Sequence, residues 1–199
     1  MKMLKKKIHL LIIGILASNL SIAQSSDMKN MLKIGVNAGA STGQNTSANT
    51  GLDISYQNLV VPGFGLGVAT GYNHFFGKER DFNGIKIDNN DFGVIPVAAL
   101  IRVYPGKSGF YGGTDIGYGF VVGKDQVANN QYPSESPYNA DMPNGGLYLR
   151  PEVGYHNRNW NFFAHFTKVF VGDDGKVGND KFNAGTVGAG VAYNIPLGK

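Results

Sequence analysis

Residues 63–73 read GFGLGVATGYN, and this stretch decides the fold class. Its residues alternate strictly between a bulky set and a small set. The bulky set is Phe64, Leu66, Val68, Thr70 and Tyr72, and the small set is Gly65, Gly67, Ala69, Gly71 and Asn73. A period of two places the sets on opposite faces of an extended chain, so the pattern predicts a β-strand with one apolar face and one small face.

The same alternation recurs in eight segments, which predicts an all-β chain. The segments lie near 31–41, 50–57, 63–76, 91–104, 109–122, 146–156, 160–171 and 182–195. Their connectors alternate in length. Those after the second, fourth and sixth segments are short, at 58–62, 105–108 and 157–159. Those after the other segments are longer and more polar, at 42–49, 77–90, 123–145 and 172–181.

If consecutive strands are antiparallel neighbours, this alternation puts every short turn at one end and every long loop at the other. Short turns, long loops and an even strand number are typical of a transmembrane barrel. The small face carries too little charge for a solvated exterior and suits a narrow lumen, so the bulky face is expected to contact lipid. The sequence thus predicts an eight-stranded antiparallel up-and-down transmembrane β-barrel.

Two strands fit this pattern less well. The fourth is apolar on both faces, with Ile95, Val97, Ala99, Ile101 and Val103 as the expected lipid set, and Pro96 interrupts its hydrogen-bond ladder. The seventh places Lys168 on the same face as Phe162, Ala164, Phe166 and Phe170. Either that lysine snorkels at the external rim or a bulge changes the phase of the strand.

The N-terminus has the pattern of a secretory signal peptide. A basic start is followed by an apolar run from Ile8 to Ala17, which is far shorter than the ~20 residues of a spanning helix. Ser21-Ile22-Ala23 is a cleavage pattern, so we expect cleavage after Ala23 and export. Residues 1–23 are thus assigned to the signal, 24–30 to a spacer and 31–197 to the barrel.

Removing the predicted signal peptide removes the net positive charge of the chain. The chain carries 18 basic and 14 acidic residues, and four of the basic ones lie in the first seven positions. The remaining 14 basic residues balance the 14 acidic ones, so no basic excess is left to indicate nucleic-acid binding. The chain also has no cysteine, which excludes disulfides and thiolate metal sites.

Six charged residues are expected to face the lumen, three of each sign. They are Lys33, Asp53, Arg102, Asp115, Arg150 and Glu152. Buried charges must pair, so one hypothesis is an ion-pair network around Arg150, Glu152 and Asp115 that orders and plugs the lumen. The other is a set of separate, hydrated charges near each mouth. An eight-stranded barrel has room only for side chains or one small ligand, so an open pore is not expected.

Aromatic residues fall near both ends of the strands, as in the interfacial girdles of outer-membrane barrels. The predicted girdle at the short-turn end comprises Tyr56, Tyr104, Phe110, Tyr155, Trp160 and Tyr193. The predicted girdle at the long-loop end comprises Phe75, Phe76, Phe92, Phe120, Phe170 and Phe182.

Together these features resemble the small outer-membrane β-barrel family of Gram-negative bacteria, which includes the membrane domains of outer-membrane proteins A and X. The resemblance covers Met31 to about Leu197 and rests on the pattern of strands and loops. It implies an outer-membrane location, lipid as the surrounding partner, and insertion by the barrel-assembly machinery. Such barrels commonly end in an aromatic residue, whereas this chain ends AYNIPLGK, with Tyr193 as a displaced candidate signal.

The expected role is structural or surface-interacting, in a monomer without catalytic activity, cofactor or metal. The long loop at 123–145, with Tyr132, Pro133, Pro137 and Tyr138, is the candidate surface for a ligand or partner protein. Two alternatives stay open. His165, Thr167 and Glu152 resemble the His-x-Ser and carboxylate set of outer-membrane lipid A deacylases, with threonine in place of serine. A soluble periplasmic barrel binding an apolar ligand would instead need its bulky face inward.

Overall fold

A computed structural model describes residues 29–82, 85–105, 109–128, 140–176 and 181–198. Ten strands are present in these ranges: β1 Asn30–Ser41, β2 Thr46–Val61, β3 Phe64–Gly77, β4 Glu79–Phe82, β5 Ile85–Asp88, β6 Phe92–Val103, β7 Phe110–Gly123, β8 Gly145–His156, β9 Trp160–Phe170 and β10 Ala184–Pro196. Among the described residues, no helix is long and apolar enough to cross a membrane.

Eight of the strands form a closed barrel in the order β1-β10-β9-β8-β7-β6-β3-β2, and β4 and β5 form a separate hairpin. Every neighbouring pair in the barrel is antiparallel, and β1 closes the ring against β10 over Met31 to Ser41. The predicted all-β, eight-stranded, antiparallel up-and-down barrel is therefore confirmed. Residues 1–28, which hold the predicted signal peptide, lie outside the described residues.

The two faces of each strand are those that the alternation predicts. On β3, the residues from Gly65 to Asn73 that belong to the small set face inward, and the bulky set faces outward. Backbones come so close here that a Cβ at Gly67 would collide with the carbonyl oxygen of Tyr56 on β2. Glycine on the inner face thus allows the strands to pack around a narrow lumen.

The alternation of inward and outward side chains is unbroken along strands β6 and β9. Ile95, Val97, Ala99, Ile101 and Val103 face outward, as expected. The β3–β6 pairing is absent at Ile95 and Pro96, but its register is the same on both sides, so the proline interrupts the ladder without a bulge. Lys168 also stays on the outer face without a register shift, and its Nζ donates to Asn183 Oδ1 at 2.5 Å. Its ammonium group thus reaches the loop residues beyond β9, which agrees with snorkelling.

The first predicted long loop is wrong. Residues 46–49 belong to β2, which pairs Thr46 with Gly77 and Ala48 with Phe76, so the connector 42–45 has only four residues. The turn after β2 is also tighter than expected and consists of Pro62 and Gly63, where the glycine has a φ of 81°. The β4–β5 hairpin lies within a segment that was expected to be an irregular loop.

Two apolar clusters fill parts of the interior. The loop-end cluster combines inward strand residues with residues of the long loops, and includes Phe75, Ile87, Phe92, Val94, Val127, Tyr148, Val169 and Phe182. The turn-end cluster consists of Leu59, Tyr104, Tyr111, Phe163 and Ala192. Polar and charged residues occupy the space between and beside them. Large apolar side chains therefore occupy the interior together with the small residues of the inward faces.

Candidate functional site

The candidate site is the set of charged residues inside the barrel. All six predicted residues face inward, from β1, β2, β6, β7 and β8. Five are buried, namely Lys33, Arg102, Asp115, Arg150 and Glu152, and Asp53 is half-buried. Each has the parity of the inward residues of its own strand, and on β6 these include Val94 and Leu100 beside Arg102.

Arg102 joins two of the carboxylates. Its Nη1 donates to Asp115 Oδ1 at 2.7 Å, and its Nη2 lies 3.3 Å from Glu152 Oε1. The hydroxyl of Tyr111 also donates to Glu152 Oε1. Glu152 is therefore held by both a guanidinium and a phenol, which suits a carboxylate that has lost its water shell.

Arg150 makes the longest connection across the lumen. Its Nη1 and Nη2 donate to Asp53 Oδ1 and Oδ2 at 2.7 and 3.1 Å, a bidentate pair. Asn37 Nδ2 donates to Asp53 Oδ2 at 2.8 Å, and Arg150 Nε lies 3.7 Å from Glu152 Oε2. The charges thus form a continuous chain in the order Asp115, Arg102, Glu152, Arg150, Asp53, which we call the lumen network.

Lys33 lies outside these ion pairs. Its Nζ donates to Gln57 Oε1 at 2.9 Å and lies 5.6 Å from the ring centroid of Tyr111. Tyr104 donates to the same Gln57 oxygen at 2.9 Å.

Asp115 faces Arg150 directly in the β7–β8 register, yet its ion pair is with Arg102. The residues Asn37, Gln57, Tyr104 and Tyr111, which support the charges, were not identified from the sequence as lumen groups.

Little space remains around the lumen network. The cavity among these side chains has a volume of about 30 Å³ and is lined by Arg102, Asp115, Arg150, Tyr148 and Phe163, among others. Such a volume holds roughly one water molecule. The arrangement can therefore hold charge in place inside the barrel.

Eight of the twelve residues assigned to the aromatic girdles are exposed on the outer face, and their position at the membrane interfaces stays a prediction. Tyr56, Phe110, Tyr155, Trp160 and Tyr193 are exposed on the outer face towards the short-turn end, and Phe76, Phe120 and Phe170 towards the long-loop end. Four assignments are wrong because their residues are buried inside the barrel: Tyr104, Phe75, Phe92 and Phe182. Phe92 stacks on Phe75 with ring centroids 4.8 Å apart and lies 4.7 Å from Phe182.

The histidine and hydroxyl pair does not form a surface triad. His165 Nδ1 lies 3.1 Å from Thr167 Oγ1, so these two groups converge. Both side chains are buried in the lumen, however, and Glu152, which lies opposite His165 in the β8–β9 register, makes its described contacts with Arg102, Tyr111 and Arg150. The described residues also contain no group of three or more potential metal-ligating His, Cys, Asp or Glu side chains.

Comparison with solved structures finds distant neighbours. No protein-family model and no curated protein matches the chain. Outer membrane protein OprG from Pseudomonas aeruginosa is 13% identical, with a TM-score of 0.49 and coverage of 84% of this chain and 96% of its own. Yersinia pestis outer membrane protein Ail is 16% identical, with a TM-score of 0.49 and coverage of 83% and 98%.

Neisserial surface protein A gives a similar result, at 14% identity, a TM-score of 0.46 and coverage of 84% and 97%. These neighbours are outer-membrane β-barrels, the class that the sequence resembles. At these TM-scores the likeness carries no argument about this chain. The barrel assignment for this chain rests on its own strand pairing.

Proposed function

We propose that the protein is a monomeric outer-membrane β-barrel with a structural or surface-interaction role, a closed lumen and no catalytic activity. The observation that carries this proposal is the apolar outer face of the barrel. Bulky aliphatic and aromatic side chains cover it, and the exposed fractions of Val153 and Val68 reach 64% and 62%.

The apolar outer face is better suited to contact with lipid than to contact with water. Large exposed apolar patches mark interaction or membrane surfaces, since a soluble protein keeps such side chains in its core. The barrel strands have 11 to 16 residues, enough for the 9–11 residues that a tilted strand needs to cross a bilayer. The exposed aromatic residues towards both ends suit the two membrane interfaces.

The packed interior supports a closed lumen. The lumen network crosses the barrel on the short-turn side of the loop-end cluster, and that cluster is covered by Ile87, Val127 and Phe182 from the loops. Two successive obstructions would have to move before a solute could pass. We therefore propose that the barrel serves as a scaffold for its external loops and not as a diffusion pore.

The two alternatives are less well supported. A lipid-modifying hydrolase on the barrel surface would need His165 and Thr167 to face lipid, and both face the lumen. A soluble barrel for an apolar ligand would need the bulky face inward and a charged outer face, which is the reverse of the observed arrangement. The loop residues Tyr132 to Tyr138, the candidate binding surface, lie outside the described residues.

Membrane fractionation tests the proposal. The full chain, expressed with its own N-terminus in a Gram-negative host, should sediment with the outer membrane. Because a closed barrel resists detergent without heat, its mobility on a denaturing gel should differ between boiled and unboiled samples. Recovery of a folded barrel in the soluble periplasmic fraction would contradict the proposal.

A further inference from the structure

One charged side chain lies on the outer face of the barrel, close to the long-loop end of β9. In the eight barrel strands as described, Lys168 is the only Lys, Arg, Asp or Glu whose side chain points outward. Its neighbours on that face include the exposed side chains of Phe166, Phe170 and Leu147. A charge on a lipid-facing surface is costly unless a polar group meets it, so its surroundings indicate what it binds.

Two polar side chains join Lys168 around Gly185, which lies on the outer face of β10. Gly185 pairs with Lys168 in the β9–β10 register, and on its other side its backbone oxygen accepts from Thr42 N at 2.9 Å. A Cβ at Gly185 would lie 2.5 Å from Thr42 Oγ1, 2.8 Å from Asn183 Oδ1 and 3.2 Å from Lys168 Cδ. The missing side chain of Gly185 therefore lets Thr42, Lys168 and Asn183 converge. We call these three residues the rim cluster.

The rim cluster presents hydrogen-bond donors and one positive charge. Lys168 Nζ donates to Asn183 Oδ1 at 2.5 Å, and none of the ion pairs between described residues includes Lys168. An ammonium group has three N–H donors, so Lys168 can donate to a ligand as well. Since Asn183 Oδ1 already accepts, its Nδ2 is the group left to donate. Thr42 is exposed, and its hydroxyl can donate too. The cluster thus suits an anion with several oxygens.

The position of the rim cluster favours an anion that belongs to a lipid. Towards the middle of the barrel, the next outward row consists of Phe166, Val187 and Ala40, which pair in register and are all exposed. An anion held by the cluster therefore lies directly beside an apolar surface. A lipid headgroup with its acyl chains matches both parts of this surface, whereas a free anion matches only the first.

We propose that the rim cluster binds the phosphate of a membrane lipid, with a preference for a phosphomonoester. Lys168 supplies the charge, and Asn183 Nδ2 and Thr42 Oγ1 donate to the remaining oxygens. A phosphomonoester has three terminal oxygens and a charge of about −1.5 to −2 at pH 7, whereas a diester has two such oxygens and a single charge. The inference rests on the proposed lipid contact of the outer face and adds to it a headgroup class and a position.

Binding of dioctanoyl phosphatidic acid to the full chain, refolded in a nonionic detergent without phosphate, tests the proposal. Its phosphorus NMR signal should shift and saturate as protein is added. Dioctanoyl phosphatidylglycerol is a phosphodiester and should bind about tenfold more weakly, because it loses an oxygen acceptor and part of the charge. Inorganic phosphate lacks acyl chains and should bind more weakly still. Equal binding of the two lipids would overturn the headgroup class, and equally tight binding of inorganic phosphate would overturn the lipid source.

Substitutions in the rim cluster should weaken phosphatidic acid binding without unfolding the barrel. Lys168→Gln should weaken it by about tenfold, because it removes a charge-assisted hydrogen bond. Thr42→Val keeps the shape of the side chain and removes its hydroxyl, so it should weaken binding by about threefold. Lys168→Arg keeps the charge and should retain most of the affinity. The difference between boiled and unboiled gel mobility should persist in all three variants, which separates lost binding from lost folding.

Lys78 provides a matched control for general charge effects. It is exposed, lies between β3 and β4 at the long-loop end, and β3 is three places from β10 in the ring. Lys78→Gln removes the same charge away from the rim cluster, so it should leave phosphatidic acid binding unchanged. The proposal is overturned if phosphatidic acid does not saturate, or if Lys168→Gln and Lys78→Gln bind it alike. These outcomes are independent of membrane fractionation, so they do not bear on the location of the barrel.

Discussion

Arg150 is the residue on which the lumen network depends most. It neutralises Asp53 through two hydrogen bonds and lies near Glu152, so its loss leaves two carboxylates in the lumen without this cation. Removing one partner of a buried ion pair costs about 3–5 kcal/mol, whereas replacing both partners with apolar residues is often neutral. The contribution of this residue is therefore best measured together with that of Asp53.

Arg150→Leu should lower the temperature at which the barrel loses its heat-modified mobility. The reason is the uncompensated charge of Asp53, so the double variant Arg150→Leu with Asp53→Leu should recover part of the loss. Unfolding can be followed by gel mobility and by circular dichroism in the same detergent. An Arg150→Leu barrel as heat-resistant as the parent would contradict the role of the network.

The odd or even position of a residue within its strand predicts whether its side chain faces the lumen. Its distance from the end of the strand does not. Asp115 and Arg150 were placed in the lumen because they share a face with glycine and other small residues. Position near a strand end predicts girdle residues at Phe92 and Tyr104, although both share parity with the inward residues Val94 and Arg102. The same signal that located the charges would have located these two aromatic residues.

At the scale of strands, lipid contact with the outer face determines what a charged substitution costs. Val68 lies near the middle of β3 and Val122 near the loop end of β7, and both side chains are exposed outward. An arginine at the bilayer midplane costs about 2–4 kcal/mol, and the cost falls to about 0–1 near an interface. A solvated barrel would tolerate both substitutions equally.

Val68→Arg should therefore destabilise the barrel, and Val122→Arg should not. The free energy of unfolding of both variants is measured in lipid vesicles. The same two variants are measured in detergent micelles for comparison. Equal, small effects at both positions in vesicles would argue against lipid contact along the middle of β3.

The β4–β5 hairpin shows what a count of strand segments misses. Its residues lie in a polar stretch without a sustained apolar alternation, which predicts a loop. Asn83-Gly84, the dipeptide between the two strands, is nevertheless a strong hairpin signal in the sequence. The pairing of Arg102 with Asp115 could not be found in that way, because it depends on how long side chains reach across a curved surface.

For the molecule as a whole, the packed lumen predicts the absence of conduction. The cavity beside the ion pairs of the lumen network has a volume of about 30 Å³. Purified barrel in planar lipid bilayers should therefore show no stable single-channel steps, and liposomes that contain it should not swell in small sugars. Reproducible conductance of the refolded protein would refute the closed lumen.

Arg150 and Asp53 have a further consequence for the shape of the barrel. They belong to β8 and β2, which are four positions apart in the ring of eight strands and so face each other across its diameter. Hydrogen bonds between neighbouring strands fix the perimeter of a tube, but they do not prevent it from being squeezed into an oval. A bidentate pair across the diameter prevents this flattening. It therefore gives the cross-section a fixed width under lateral pressure from the surrounding lipid.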